Sequence, residues 1–298
     1  VRHVAMIGTD WQKSGDNWPT DVTRTNADSV HIYTVDSNAG AGAILGFPRS
    51  TYIDTPQGHK RVAKTTVAGG PTNTVTSLIM ETGLPLEGYL HIGMGSTVGG
   101  GTPPPGFKDL VDTFGGFPFL VPYDAFGGGA LAGDTFVNGS EALAWARERQ
   151  NSPHGGVDRT LNQGSLMKSA IATVQPLGMD EIPNLLSMMD GYVNTDLWIG
   201  DLLTLAATIY TVNTGPMPQA TPQDFIDANH ETPNLIVPTH GPYNQNAGTL
   251  PNVMIKGCLY TPDGITFGYD VQPIHQATFN DLQDGVLSIT PWVCDDGT

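Results

Sequence analysis

The chain has seven arginines against 29 aspartates and glutamates, and a formal net charge of −16. Arg147, Arg149 and Arg159 fall within thirteen residues of ALAWARERQNSPHGGVDRTLNQ, and Arg49 stands in a second short segment, GFPRSTY. A guanidinium is a planar fork of donors that engages phosphate oxygens two at a time. Clustered in so acidic a chain, these arginines suggest a specific anion pocket; ordinary ion pairing with the abundant carboxylates is the competing reading. Arg159 and Gln163 are spaced i and i+4 and share a helix face. Arg147 and Arg149 would diverge by about 200° on a continuous helix. Both can face one ligand only if the helix ends near them, and Gln150-Asn151-Ser152-Pro153 is a credible terminator. Tyr52 and Lys60 are weaker candidates near Arg49.

Aspartate (23) far outnumbers glutamate (6). Short carboxylates favour turns and caps, and they are also hard ligands for divalent cations. Asp10 follows a buried strand and Asp28 precedes one, so neighbouring strands would place both at one rim of a sheet. Mg2+ suits such a rim, because it takes one or two carboxylates and completes its octahedron with water and phosphate oxygen. A turn or helix-cap role for Asp10 and a strand-edge cap for Asp28 are the alternatives.

The elements that must position these groups alternate. Val4–Gly8, Ser29–Asp36 and Ala43–Phe47 read as strands, with a polar loop from Thr9 to Thr25. Thr72–Thr82 has helical spacing and stops at Gly83-Leu84-Pro85. Gly88–Ile92 is a short strand, Gly93–Gly106 a Gly/Pro loop, Phe107–Phe114 a helix and Phe117–Val121 a strand. Helices follow at Ser140–Arg149, with Ser140 as N-cap, at Arg159–Val174 with Asp158 as a plausible cap, at Glu181–Val193 and at Leu197–Val212. This alternation predicts an α/β sheet with helices on its faces. Beyond about Pro216, Pro, Asn, Thr and Gly dominate, with strand candidates at Val253–Tyr260, Ile265–Tyr269 and Val286–Ile289. The expected organisation is a domain over 1–215 and a β-leaning C-terminal extension over 216–298.

Composition excludes some partners. With a pI near 4.5 and no basic stripe, the chain is not built for nucleic acid. There is no CxxC pair and no Cys/His cluster of zinc-like spacing. Low cysteine and lysine with high Asp, Thr and Asn give an extracytoplasmic texture. The longest nearly apolar run, Leu202–Val212, is too short to cross a bilayer. The chain enters a strand almost at once from Val1, which suggests a processed chain whose original N-terminus carried a targeting segment. In an oxidising compartment, Cys258 and Cys294 are expected to form one disulfide.

Read in order, IGTD (Ile7–Asp10), TRTNADSVHIYTVD (Thr23–Asp36), GFPRSTYI (Gly46–Ile53), FKDLVDTFGGFPFLVPYD (Phe107–Asp124), and NGSEALAWARERQ (Asn138–Gln150) leading into VDRTLNQ resemble the LytR-CpsA-Psr family of bacterial cell-wall enzymes. The resemblance covers roughly residues 3–212. It implies an α/β/α sandwich with a central mixed sheet and an apolar tunnel for a lipid tail. It also implies transfer of a glycopolymer from a polyprenyl-pyrophosphate carrier to peptidoglycan or another wall glycan, at the outer face of the cytoplasmic membrane. Carried over residue by residue, Asp10 and Asp28 would hold Mg2+, while Arg49, Arg147, Arg149 and Arg159, with Gln163, would grip the pyrophosphate. Asp28, Arg49, Arg147 and Arg149 are the expected catalytic set.

Departures from the family pattern are specific. An arginine usual two residues before the second aspartate is Asn26 here, with Arg24 displaced by two. The usual Pro-Arg-Asp is Pro48-Arg49-Ser50, and Gln12 and Lys13 replace an arginine common after the first aspartate. They keep open an alternative: a secreted binding or scaffold protein of the cell envelope that retains the fold without the transfer chemistry. Two other motifs carry no function on their spacing. Ser165-Leu166-Met167-Lys168 fits S-x-x-K, but the S-D-N and downstream K-T-G that must accompany it are absent. His240 in PTHGPYN has no partner at metal or triad spacing.

Overall fold

The computed structural model describes residues 1–9, 25–38, 40–94, 105–121, 123–152, 156–212, 235–236, 252–255, 258–260, 268–271 and 276–283. Asp10, Gln12, Lys13, Arg24, His240, Cys294 and the strand expected at Val286–Ile289 lie outside them, and with them the expected disulfide.

Three strands form the centre: β1 (Arg2–Thr9), β2 (Ala27–Asp36) and β3 (Ala41–Gly46). They pair antiparallel in sequence, and β6 (Tyr89–Gly93) adds in parallel to β1. β9 (Val193–Thr195) closes one edge beside β6. On the other side, β11 (Asn252–Ile255) pairs in parallel with β3, and β10 (Leu235–Ile236) pairs antiparallel with β11. The result is a mixed seven-stranded sheet in the order β10-β11-β3-β2-β1-β6-β9. A smaller sheet holds β4 (Thr51–Ile53), β5 (Lys60–Arg61), β12 (Cys258–Tyr260) and β13 (Gly268–Asp270). β7 (Phe117–Pro118) and β8 (Phe136–Val137) form a third, two-stranded pair.

Both faces of the large sheet are covered, which is why β2 is buried along nearly its whole length rather than on alternate residues. Ala5, Ile7, Val30, Ile32 and Leu45 point to one face, where they pack with Val75 and Leu78 of α1 (Thr65–Thr82) and Phe279 and Leu282 of α7 (Gln276–Leu282). Residues from the expected 216–298 extension thus enter both the central sheet and this core. Val4, Tyr33, Val35 and Ile44 point the other way, against Ile171 of α4 (Gly156–Val174) and Leu205 of α6 (Ile199–Ile209). Strand period two assigns the residues to the faces, and helices close each one, giving the expected α/β/α sandwich.

Two further helices lie over the α4 side: α2 (Phe107–Thr113) and α3 (Gly139–Arg147), with α5 (Ile182–Met189) contacting α2. The N-cap of α3 is Asn138, not Ser140: its Oδ1 accepts from the N–H groups of Ser140 and Glu141, and Glu141 Oε2 accepts from Asn138 N at 2.7 Å. That is the reciprocal capping box, for which glutamate three residues on is the sequence cue. Asp158 is no cap either. It lies within the first turn of α4 and is fully buried.

Candidate active site

β1 ends and β2 begins at the same rim. Gly8 faces Ser29 and Thr9 faces Ala27, so the register skips Asp28. Asp28 is therefore not the residue before a strand but the extra residue of a β-bulge, a feature that frees a side chain from the ladder and re-aims it. Its side chain is 5% exposed, and Arg49 Nη1 lies 2.6 Å from its Oδ1. Arg49 reaches it from the Pro48–Thr51 turn, closed by Thr51 N–H donating to Pro48 O at 2.9 Å.

The start of α4 is pinned above this rim. His31 Nε2 lies 3.0 Å from the carbonyl of Thr160, which can only accept, so Nε2 carries the proton. Ser29 Oγ then donates to Nδ1, at 3.2 Å. Burial holds the His31 pKa down at about 4, so the ring is neutral at pH 7. Gly46 permits the close approach: a Cβ there would lie 2.7 Å from Thr160 Cγ2 and 2.9 Å from the His31 ring. Arg159, one residue before Thr160, is buried rather than solvent-exposed. Gln163, one turn later, donates through Nε2 to Ala146 O at 3.0 Å and, more weakly, to Asp28 O at 3.5 Å. Its amide hydrogens tie α3 to the bulge.

α3 stops at Arg147, two residues sooner than expected, because Glu148 takes extended backbone angles. Arg149 thereby escapes the 200° divergence of a continuous helix. Arg147 Nη2 donates to Met94 O at 3.2 Å, and Met94 N–H donates to Thr9 O at 2.8 Å, which links the end of α3 to the end of β1. Asp28, Arg49, Gln163 and the neighbours of Arg147 thus meet at one rim, with Arg159 on the same helix face as Gln163. Tyr52 and Lys60 belong elsewhere. The Tyr52 ring stacks on His59 and carries Arg61 at 5.4 Å, while Lys60 is exposed in β5.

Below the rim lies an apolar cavity of about 240 Å3. Gln163, Leu166, Met167, Ala170, Ile171 and Val174 line it, an i, i+3, i+4, i+7 stripe along α4 that spans about 16 Å at the helical rise. Met6, Gly8, Leu90 and Ile92 of the sheet form its floor, and side chains of α2 close the far side. Among the described residues, Ser29 and Gln163 are its polar lining side chains, and both sit at the Asp28 end. Lys168 is also buried, and desolvation lowers its pKa to about 7, but it is not among the lining residues. The S-x-x-K lysine is thus a buried helix residue.

Lys64, whose Lys64-Thr65-Thr66 run lies upstream and lacks the glycine of K-T-G, was not among the expected anion-site residues. Its Nζ donates to Asn26 Oδ1 at 3.0 Å, so an ammonium lies beside the residue at which the family resemblance leads one to expect an arginine. Only the long-range contact reveals it; Lys64 carries no motif of its own. Among the described residues no group of three or more His, Cys, Asp or Glu could cage a metal.

The LytR_cpsA_psr family model matches residues 2–224. The chain belongs to the LytR-CpsA-Psr family. Relatives include the polyisoprenyl-teichoic acid–peptidoglycan teichoic acid transferase TagU of Bacillus licheniformis, 25% identical over 206 residues, which cover 67% of this chain and 61% of that protein. TagU of Bacillus subtilis is 26% identical over 174 residues, 56% of this chain and 50% of that protein. The chain thus spans half to three-fifths of these LytR-CpsA-Psr relatives. Among solved structures, TagT bound to LIIa-WTA superposes with a TM-score of 0.66 at 16% identity, over 96% of this chain and 90% of that one. TagV of B. subtilis gives 0.66 at 17%, over 96% and 97%. The LytR-CpsA-Psr fold is therefore shared.

Proposed function

We propose that this chain transfers a glycopolymer from a polyprenyl-pyrophosphate carrier to a hydroxyl of peptidoglycan or another wall glycan, at the outer face of the bacterial cytoplasmic membrane. The observation that carries the reading is the apolar cavity ending at Ser29 and Gln163, beside the Asp28–Arg49 pair. A ligand with a long hydrocarbon tail and an anionic head matches that polarity. Relatives named as teichoic acid transferases support the same reaction class.

The tail would lie along the α4 stripe, where burial removes apolar surface from water at about 25 cal/mol per Å2. Arg49, Arg147, Arg149 and Arg159 would hold the pyrophosphate oxygens, and Gln163 would keep α3 and the bulge in register. The wall-glycan hydroxyl oxygen forms a bond to the sugar-side phosphorus and releases its proton to solvent. The bond to the bridging oxygen breaks, and prenyl phosphate leaves. Guanidinium charge stabilises the leaving phosphate.

Asp28, a carboxylate at the rim and the one such residue of the expected pair that is described, fits Mg2+, which needs only one or two protein carboxylates when phosphate supplies further ligands. Bound Mg2+ would neutralise phosphate charge; Asp10 is the second expected ligand. Lys64 at Asn26 favours this reading over a non-catalytic scaffold, because it supplies a cation near the position of the absent arginine. Calorimetry with a soluble prenyl pyrophosphate tests it. Mg2+ should strengthen binding, and Asp28→Ala should abolish that gain; an unchanged Mg2+ response in the variant would sink the assignment.

A further inference from the structure

Beyond Arg147 the chain forms one wall of a cleft of about 450 Å3, lined by Arg147, Glu148, Arg149 and Gln150, with Phe126 across from them. That volume is within the roughly 300–1,000 Å3 of small-molecule sites. Phe126 is 62% exposed, yet its backbone is held. The Glu148 carboxylate is buried, and one oxygen accepts from the N–H of Phe126 while the other accepts from Gln150 N at 2.6 Å and Asn151 N at 2.8 Å. Asn151 Nδ2 donates to Asp124 O at 2.9 Å. Both walls therefore hang from one carboxylate. Gly129 lets the Phe126 loop settle on α3, since a Cβ there would lie 2.5 Å from that of Ala144, another cleft residue. Arg147 joins the two spaces: its guanidinium bonds to the carbonyl of Met94, whose side chain lines the apolar cavity.

We propose that this cleft is a sugar subsite that takes a pyranose ring lying beside a phosphate, with the C–H face of the ring on Phe126 and its hydroxyls on Gln150 and on the Arg149 N–H donors that the phosphate leaves open. An aromatic face is electron-rich and meets the polarised C–H face of a sugar, and a rigid exposed ring loses little entropy in doing so. The assignment rests on the reading that the pyrophosphate lies beside Arg147. Two sugars have this chemistry: the pyrophosphate-linked sugar of the donor and the acceptor sugar of the wall.

Three probes on the full chain separate the outcomes: geranylgeranyl pyrophosphate without sugar, N-acetylglucosamine 1-phosphate, and a soluble, unphosphorylated peptidoglycan glycan fragment. Calorimetry reads the first, and saturation-transfer NMR reads sugar-ring protons in the other two. Phe126→Ala should weaken at least one sugar probe about tenfold and leave geranylgeranyl pyrophosphate unchanged, whereas Phe126→Trp should retain sugar binding. A loss confined to the sugar phosphate assigns the donor, and one confined to the wall fragment assigns the acceptor. The subsite is overturned if neither sugar shows saturation on the unmodified chain, if Phe126→Ala changes neither, or if it weakens the sugar-free probe equally. Should the sugars bind through Phe126 while the prenyl pyrophosphate does not bind at all, the pyrophosphate reading fails and the subsite stands.

Discussion

Arg49 Nη1 lies 2.6 Å from Asp28 Oδ1, joining the turn after β3 to the bulge that opens β2. Removing the guanidinium leaves a buried carboxylate without that cation. Arg49→Ala should cost about 1–3 kcal/mol, because Arg49 is itself a third exposed and the pair is partly screened. A lower urea midpoint with an unchanged slope is the expected readout. Arg49→Lys should recover stability but not prenyl-pyrophosphate binding, since an ammonium lacks the fork. Full recovery of both would reduce the site to a point charge.

Arg159 tests the pocket against general charge. Arg159→Ala should weaken prenyl-pyrophosphate binding by about 1.5–3 kcal/mol, the scale of a hydrogen bond to a charged group. Arg2 is the control, since it pairs with Glu87 at 2.7 Å at the far end of β1. Equal losses from Arg2→Ala and Arg159→Ala at moderate salt would mean that no specific pocket exists.

The cavity makes a prediction about chain length. Ala170 sits mid-stripe on α4, and Ala170→Phe would fill the space with a ring. Binding of a long prenyl pyrophosphate should fall at least tenfold while inorganic pyrophosphate is unaffected. Overpacking should cost no more than about 1–3 kcal/mol of stability, because the cavity accepts volume. Undiminished long-chain binding would place the tail elsewhere.

Three histidines report on pH. Burial lowers the pKa values of His3, His31 and His91 to about 4. Unfolded histidine binds its proton near 6.5, so between roughly 6.5 and 4 the unfolded state holds more protons. Stability is fully present above 6.5 and is lost as pH falls toward 4, by up to about 1.4 kcal/mol per pH unit for each ring. Urea midpoints at pH 7 and 5 should show the fall, and His31→Gln should make it shallower, leaving the contributions of His3 and His91. An equal slope in that variant would mean that His31 contributes nothing.

The central fold was legible because its strands and helices are long apolar patterns. β1, β2, β3 and α2 lie where alternation and helical period place them. What escaped depends on partners distant in the chain. β4, β5 and β9 are two or three residues long and exist through pairing alone. Asp28 was legible as a residue at a strand start, but its bulge is defined by the register of β1 and has no local signal. Arg147 and Arg149 were legible as a pair. Glu148, which lies between them, read as an ordinary charged residue, because its three backbone donors come from two separate loops.

The bulge also separates two jobs that a plain strand would force on one residue. From Ser29 to Val35 every β2 residue is locked to a partner in β1, and a shift of one place would turn the buried faces inside out. Position 28 stands outside that lock. The carboxylate there can be exchanged without disturbing a β1–β2 pair, so the change would be felt at the rim, by Arg49, and not by the sheet.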